Sequence, residues 1–315
     1  MHRLVAVSLL VLVAGCRSCA KADPGPPSVA TPTSAILAEI DAALAKRQQG
    51  NTPLATTMLL DAAAHAKATK DPAGEAWALH RAGDTLLDED RCGLSRARYL
   101  EAMALHQTLG DRAKVGLAAN DLGLWARRCE FDEAIGWFSV AMTYRRDDPK
   151  AFATSANNLA GTFWNVNRPD EAQLTWEEAL TSAERANELV MQRKVLANLA
   201  LLWVLRAEGR YDHDALAREQ SIDELLARAE NADGGADAVD ADALIAELDR
   251  RRERFDDSDT ARKPIAEDSP ALARARAYFT RAIDAAKRGG EDPIVVCGSF
   301  GTFDDRCELL APKTP

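Results

Sequence analysis

Four short stretches of the chain repeat one arrangement of apolar and small residues. Each contains a Gly or Ala directly after an apolar residue, and these small residues are Gly83, Gly123, Ala160 and Ala200, spaced by 40, 37 and 40 positions. The apolar positions on either side recur every three to four residues, which is the period of an amphipathic helix. We therefore predict that each stretch forms the first helix of a repeated unit.

A second helical pattern accompanies these stretches. It consists of a small residue, a bulky residue four positions later and another small residue three positions after that, as in Ala134, Phe138 and Ala141. The same pattern occurs at Ser95, Tyr99 and Ala102, at Ala172, Trp176 and Ala179, and at Ala275, Phe279 and Ala282. Small residues let two antiparallel helices approach closely, and the bulky residue fills the space between units. The second unit is one residue short between Gly123 and Ala134, so we expect an adjusted turn there.

Two strings within this pattern resemble the second helix of the tetratricopeptide repeat, in its longer, kinesin-light-chain-like form. They are FDEAIGWFSVAM (residues 131–142) and RPDEAQLTWEEAL (residues 168–180). The resemblance covers residues 74–207 and implies an all-α fold, a right-handed α-solenoid of antiparallel helix pairs over residues 35–209. Upstream, residues 35–48 and 52–70 predict a further helix pair, with its register at Leu60 and Ala64. We interpret this pair as a degenerate capping repeat.

The N-terminus has a different pattern. A basic start, Met1-His2-Arg3, precedes the apolar run Leu4–Ala14, which is too short to span a bilayer, and the run leads directly to Cys16. This sequence resembles the bacterial lipobox, which implies a lipoprotein signal peptide over residues 1–15 and a lipidated Cys16 on a Pro-rich tether over residues 16–34. Because Arg17 follows the cysteine, the resemblance favours the outer membrane, with the protein facing the periplasm or the cell surface. The alternative is a soluble secreted protein with an incidental Cys16.

Charge separates one further segment from the repeats. The chain has a net charge of −10, which argues against a nucleic-acid partner. Residues 210–267 hold most of that charge, so we predict an acidic, partly flexible helical insertion that divides the fourth unit. Residues 268–290 then form the final repeat or capping helix. Residues 291–315 are expected to be an irregular tail, in which Ile294–Cys297 reads as a short β-like run.

The chain has six cysteines. With Cys16 assigned to lipid and Cys19 beside it, Cys92, Cys129, Cys297 and Cys307 allow three connectivities in an oxidising compartment. We consider Cys92–Cys129 and Cys297–Cys307 the candidate pairs, and free buried thiols the alternative.

The sequence contains no recognisable catalytic chemistry. Its five His residues are scattered, and no zinc spacing, phosphate loop, nucleophile elbow or dinucleotide fingerprint occurs. A loose resemblance of residues 231–237 to a calcium loop lacks the closing Glu. We therefore expect a protein that is not an enzyme, with no metal, cofactor, nucleic-acid or small-molecule partner.

The first helices of such a solenoid line a concave groove, and this groove is the candidate site. The residues expected to face it are His80, Asp84, Asn120, Arg127, Arg128, Asn157, Trp164 and Asn165. In kinesin-light-chain-like arrays, similar asparagines bind an extended peptide, so the resemblance implies that Asn120 and Asn157 do so. The alternative is that these amides satisfy neighbouring helix ends, which we favour for Asn198. Four tryptophans are assigned to packing between helices: Trp125, Trp137, Trp176 and Trp203.

These features favour a membrane-anchored scaffold or adaptor that binds a protein or peptide segment in its groove. The alternative is a structural or assembly lipoprotein of an envelope or secretion machine that acts through its convex face or acidic insertion. An enzyme is a remote third possibility.

Overall fold

The computed structural model describes residues 30–209, 265–298 and 307–310. These residues form α-helices and one short 3-10 helix, and they contain no strand. The long helices are α1 (Ser34–Gln48), α2 (Thr52–Ala68), α3 (Pro72–Asp88), α4 (Cys92–Thr108), α5 (Arg112–Cys129), α6 (Ala134–Arg145), α7 (Pro149–Asn165), α8 (Pro169–Arg185), α9 (Leu189–Ala207) and α10 (Pro270–Arg288). The short elements are the 3-10 helix Phe131–Glu133, α11 (Ile294–Gly298) and α12 (Cys307–Leu310).

The long helices pack as five antiparallel pairs, each consisting of an odd-numbered first helix and an even-numbered second helix. First helices of neighbouring units contact each other, as α5 and α7 do, more closely than second helices do. The first helices therefore form the inner layer of a curved stack, and the second helices form its outer layer. The predicted all-α, tetratricopeptide-like solenoid is confirmed.

Turn chemistry sets the length of most helices. Asp71 accepts a hydrogen bond from the backbone N–H of Gly74 at the start of α3, and Pro72 occupies the first helical position. Among the connections between helices that the structure describes in full, seven contain a residue with positive φ: Gly50, Lys70, Asp90, Gly110, Asn167, Asn187 and Gly290. A left-handed residue ends a helix and reverses the chain. Its recurrence every 20 residues from position 50 to position 110 gives the pairs their common length.

A close contact between a small and a bulky residue joins the two helices of a unit. A Cβ atom added at Gly83 would lie 2.7 Å from the Tyr99 ring, and one added at Gly123 would lie 2.5 Å from the Phe138 ring. Ala160 and Trp176 occupy the same positions in the third unit, and both are buried. The small-residue pattern was therefore read in the correct register.

The register proposed for the first pair was wrong. Ala64 is exposed and Leu60 is only partly buried, whereas Ala55, Leu59 and Ala62 are fully buried. These three residues reproduce the second-helix pattern, and Ala43 precedes them at the distance that separates Gly83 from Ser95. The pair is thus a regular unit, 40 positions before Gly83, and its register was hidden because alanine occupies so many positions of α1 and α2.

The unit that is one residue short contains the irregular connection. Between α5 and α6 the chain forms the 3-10 helix Phe131–Glu133, and no residue there has positive φ. Helix α6 then begins at Ala134 and has only 12 residues. The tighter 3-10 turn absorbs the missing residue and keeps Ala134, Phe138 and Ala141 buried.

The last unit is completed across the insertion. Helix α10 packs against α9, and Arg193 near the start of α9 forms an ion pair of 2.7 Å with Glu291, just after α10. The expected helices and loop within residues 210–264 lie outside the described residues. Among the described helices, none is long and apolar enough to cross a membrane.

The described part of the tail is helical. Residues Ile294–Cys297, which were expected to be β-like, belong to α11, and Val296 is buried against the last unit. A disulfide joins Cys297 to Cys307 at the start of α12, and a second disulfide joins Cys92 at the start of α4 to Cys129 at the end of α5. Burial of Val296 in the helical conformation thus outweighs the preference of the β-branched residues of α11 for a strand.

We predict that Gly123→Ala destabilises the protein by about 1–3 kcal/mol, because the added methyl group collides with the buried Phe138 ring. This is the net change, because the collision outweighs the roughly 1 kcal/mol by which alanine is favoured over glycine in a helix. Gly161→Ala is the matched control, since its Cβ would meet no atom within 4 Å, and it should stabilise the protein. Urea unfolding measures both changes. A Gly123→Ala protein as stable as wild type would contradict the register.

Candidate functional site

A row of side-chain hydrogen bonds connects neighbouring first helices. The Nε2 atom of His80 lies 2.8 Å from Asp121 Oδ2, Asn158 Nδ2 donates to Asn120 Oδ1 at 3.2 Å, and Asn198 Nδ2 donates to Asn157 Oδ1 at 3.2 Å. In each bond, one partner lies three residues before the small residue of its own unit, as His80 does before Gly83. The other partner lies two residues before the small residue of the following unit, as Asp121 does before Gly123. We call this row the polar ladder.

Because His80 and Asn120 form hydrogen bonds of the polar ladder, they are not available to bind a ligand in the groove. His80 is fully buried, and Asn120 is 5% exposed. Asn120 Oδ1 accepts a second bond from Ser155 Oγ at 3.1 Å, while its Nδ2 donates to Asp121 Oδ1 at 3.1 Å. The interpretation of Asn120 as a peptide-binding amide was therefore wrong, because its hydrogen-bonding capacity is used between helices. Asn198, which we expected to be structural, contributes to the ladder.

Asp84 and Arg128 are also bonded within the chain. Asp84 accepts from the Tyr99 hydroxyl at 2.9 Å and from Arg81 at 2.9 Å. Burial, reinforced by the nearby Asp84 and Asp121 carboxylates, raises the pKa of Tyr99, so its hydroxyl keeps the donated proton. Arg128 pairs with Asp90 in the turn before α4. These charges stabilise contacts between helices.

An open surface remains on α5 and α7. Leu124 is 40% exposed, Asn165 is exposed, and Gly161 is only partly buried, with no atom within 4 Å of its Cβ direction. Arg127 is exposed and makes no hydrogen bond or ion pair within the described residues. Asn157 accepts the ladder bond through its oxygen, and its Nδ2 makes no hydrogen bond among these residues. We call these five residues the inner strip.

The other groove candidate and the four assigned tryptophans pack against helices. Trp164 is partly buried, with its ring 5.8 Å from that of Trp176. Trp125 is buried and donates to the Cys92 carbonyl at 2.8 Å. The packing role assigned to Trp125 and Trp176 is confirmed, and Trp137 and Trp203 also pack at the edges of the core.

Trp77 is an inner-layer residue that sequence reasoning missed. Its ring is contacted by two cations: Arg81 Cζ lies 4.3 Å and Lys114 Nζ 3.7 Å from its centroid. Burial lowers the pKa of Lys114, partly opposed by the nearby Asp111 carboxylate. Arg81 lies one turn after Trp77 on α3, whereas Lys114 belongs to α5, so the packing of α5 near α3 brings the second cation to the ring.

His80, Asp84 and Asp121 are the one group among the described residues that could supply three metal ligands. One ligand atom from each lies within 4.8 Å of the others. However, the two carboxylates already accept hydrogen bonds from Tyr99, Arg81, His80 and Asn120. The Arg81 guanidinium also provides a positive charge at the same place. The three side chains are therefore explained by their hydrogen bonds to each other and to neighbouring helices, without a metal ion.

Comparisons with known proteins found solved structures of low sequence identity, but no family of known proteins matches the chain and no curated protein matches its sequence. BtubC (BKLC) from P. vanneervenii is 15% identical, with 90% of this chain and 96% of that chain covered and a TM-score of 0.42. A Rap protein in complex with competence and sporulation factor is 14% identical (87% and 74% covered, TM-score 0.45). PilF from Pseudomonas aeruginosa is 19% identical (68% and 97% covered, TM-score 0.38).

A second buried histidine gives the fold a sensitivity to acid. His106 on α4 is 3% exposed, and neither of its ring nitrogens has a hydrogen-bond partner. Burial, together with the nearby His80, lowers the pKa of His106 to about 4. The folded protein therefore binds this proton less readily than the unfolded chain, whose histidine titrates near pH 6.5.

We predict that stability falls as the pH decreases from about 6.5 to 4 and that His106 accounts for up to about 3 kcal/mol of this loss. His106→Leu should reduce the difference in unfolding free energy between pH 7 and pH 4 by that amount. Gln107→Leu, at the exposed and non-titratable residue next to His106, is the control and should keep the wild-type pH dependence. Equal pH dependence in wild type and His106→Leu would contradict the assignment.

Proposed function

We propose that the protein is a scaffold that binds an extended segment of a partner protein along the inner strip. The observation that carries this proposal is the open space at Gly161, which follows Asn157 by one turn of α7. A glycine without a neighbouring side chain lets a second backbone approach the helix closely.

The other residues of the inner strip suit the same kind of partner. The Nδ2 group of Asn157 can donate to a peptide carbonyl, and Leu124 offers apolar surface. Arg127 provides a positive charge that no described residue neutralises, so an acidic side chain on the partner fits beside it. The partner segment would thus be extended, partly apolar and acidic at one position.

We also propose that Cys16 anchors this scaffold to a bacterial membrane, with the outer membrane as the favoured site. The support is the sequence alone: a basic start, an apolar run and a cysteine directly after small residues. The Pro-rich segment that follows would separate the solenoid from the lipid.

We expect Gly161→Leu to abolish partner binding while raising the stability of the protein. Leucine fills the open space, and it also gains up to about 1 kcal/mol over glycine in a helix. Binding is measured by photo-crosslinking in native envelopes from a benzoylphenylalanine at position 165, where wild type should give a discrete adduct. Gly136→Leu, at an equally open glycine on the second helix α6, should leave the adduct unchanged.

The same experiment separates the alternative functions. An adduct that persists at wild-type yield in Gly161→Leu contradicts binding at the inner strip. Adducts that form only from a probe at Leu174, which is 62% exposed on the second helix α8, would instead support a structural lipoprotein that acts through its outer face.

For the anchor, Cys16→Ala should abolish metabolic labelling with palmitate and release the protein from the membrane fraction. The reason is that Cys16 is the proposed acceptor of the acyl chains, and the variant has no thiol at that position to carry them. Cys19→Ala is the matched control and should be labelled as wild type is. Palmitate label that persists in Cys16→Ala would disprove the anchor without affecting the scaffold.

A further inference from the structure

An open cleft of about 480 Å³ lies between the second helices α6 and α8, with α7 as its floor. Met142, Phe152 and Leu159 supply the apolar part of its lining. Met142 packs at the junction of two hydrophobic clusters, one extending from α4 to α7 and the other from α7 to α12. Because the clusters do not close over this junction, Met142 and Phe152 are only partly buried.

Positive charge is concentrated at one end of the cleft. Arg146 directly follows the last residue of α6, and Arg185 is the last residue of α8. Both are exposed, and neither has a hydrogen bond or ion pair within the described residues. Since α6 and α8 run in the same direction, the two guanidinium groups lie at the same end, where they can bind one carboxylate.

The walls of the cleft supply hydrogen-bonding groups. Thr143 and Thr181 donate their hydroxyl protons to backbone carbonyls of their own helices, at 3.0 and 2.9 Å, so their free lone pairs can accept. Ser182 also lines the cleft, is 7% exposed and has no hydroxyl partner among the described residues. An alkyl chain would leave the Ser182 hydroxyl unpaired at a cost, whereas peptide N–H groups could donate to it and to the free lone pairs of the two threonines.

Glu178 fixes the direction of the occupant. It lies seven residues before Arg185 on α8, which corresponds to about 10 Å along the helix. An extended peptide covers that distance in about three residues. Glu178 makes no ion pair within the described residues, so it is available to a basic side chain at the far end of the cleft.

We propose that this cleft binds the C-terminus of a partner protein. The terminal carboxylate lies between Arg146 and Arg185, an apolar last side chain covers Met142 and Phe152, and a basic side chain three positions earlier pairs with Glu178. The segment comprises four residues, and because the cleft of about 480 Å³ is open it need not enclose all of them. The site lies on the outer layer and does not depend on the inner strip.

The test titrates the full-length protein, labelled with ¹³C in its methionine methyl groups, with acetyl-Lys-Ala-Ala-Leu and with its C-terminal amide. Met142 lines the cleft, and Met58, Met103 and Met191 are internal references because they lie elsewhere in the solenoid. We expect the Met142 signal alone to shift with the free acid, with a Kd on the order of 0.1–1 mM, and about tenfold weaker binding of the amide.

Substitutions test whether Arg146 and Arg185 bind the terminal carboxylate of the peptide. Arg146→Gln with Arg185→Gln should bind the acid about as weakly as wild type binds the amide. Lys194→Gln removes an exposed charge from α9, outside the cleft and the inner strip, and should bind as wild type does. Equal affinity for acid and amide overturns the proposal, as does an unchanged affinity in the double variant. Sodium decanoate that shifts Met142 as strongly as the peptide acid also overturns it, because the cleft would then select an acyl carboxylate.

Discussion

The structure depends on one contact that recurs in every unit, in which the small residue of a first helix meets the bulky residue of its second helix. Gly83 against Tyr99 and Gly123 against Phe138 leave no room for a methyl group. Because this contact fixes the two helices against each other, the segment that connects them can vary. A 3-10 turn replaces the usual left-handed residue between α5 and α6, and more than fifty residues separate α9 from α10, yet Phe279 is still buried with Ala200 in one core. The helix pair is therefore the unit of stability.

A second constraint acts between units and determines what the inner layer can bind. The polar ladder places a hydrogen bond between successive first helices from His80 to Asn198. Buried hydrogen-bonding groups are costly to leave unpaired, so these bonds fix the register of one unit on the next. The same bonds occupy the polar groups that a groove ligand would otherwise use. Recognition on the inner layer consequently rests on exposed surface and open space, as at Leu124 and Gly161.

Sequence reasoning succeeded for the small and bulky residues that meet within the units from Gly83 onward, and it failed for Asn120, whose side-chain oxygen has its partners on the next unit. Gly83 and Tyr99 are 16 residues apart, and the same spacing separates Ala160 from Trp176, so the pattern was visible. Asn120 was misassigned because its partner Asn158 is on the next first helix, and whether they meet depends on the rotation of α5 against α7. Gly161 was missed because a glycine inside a helix ordinarily signals only lower stability. Its role is defined by the absence of neighbouring side chains, which no local pattern records.

Helix α7 is shared by the inner strip and the outer cleft, and its geometry keeps the two surfaces separate. Asn157 and Gly161 are four residues apart and lie on its inner side, whereas Phe152 and Leu159 are seven apart and form the floor of the cleft. Positions 159 and 161 differ by two residues, which is a rotation of about 200° around the helix. A leucine at position 161 therefore covers the inner strip and leaves the cleft floor uncovered. Occupants of the two surfaces would both stabilise α7 in its present position, so neither has to displace the other for the solenoid to hold two protein segments at once.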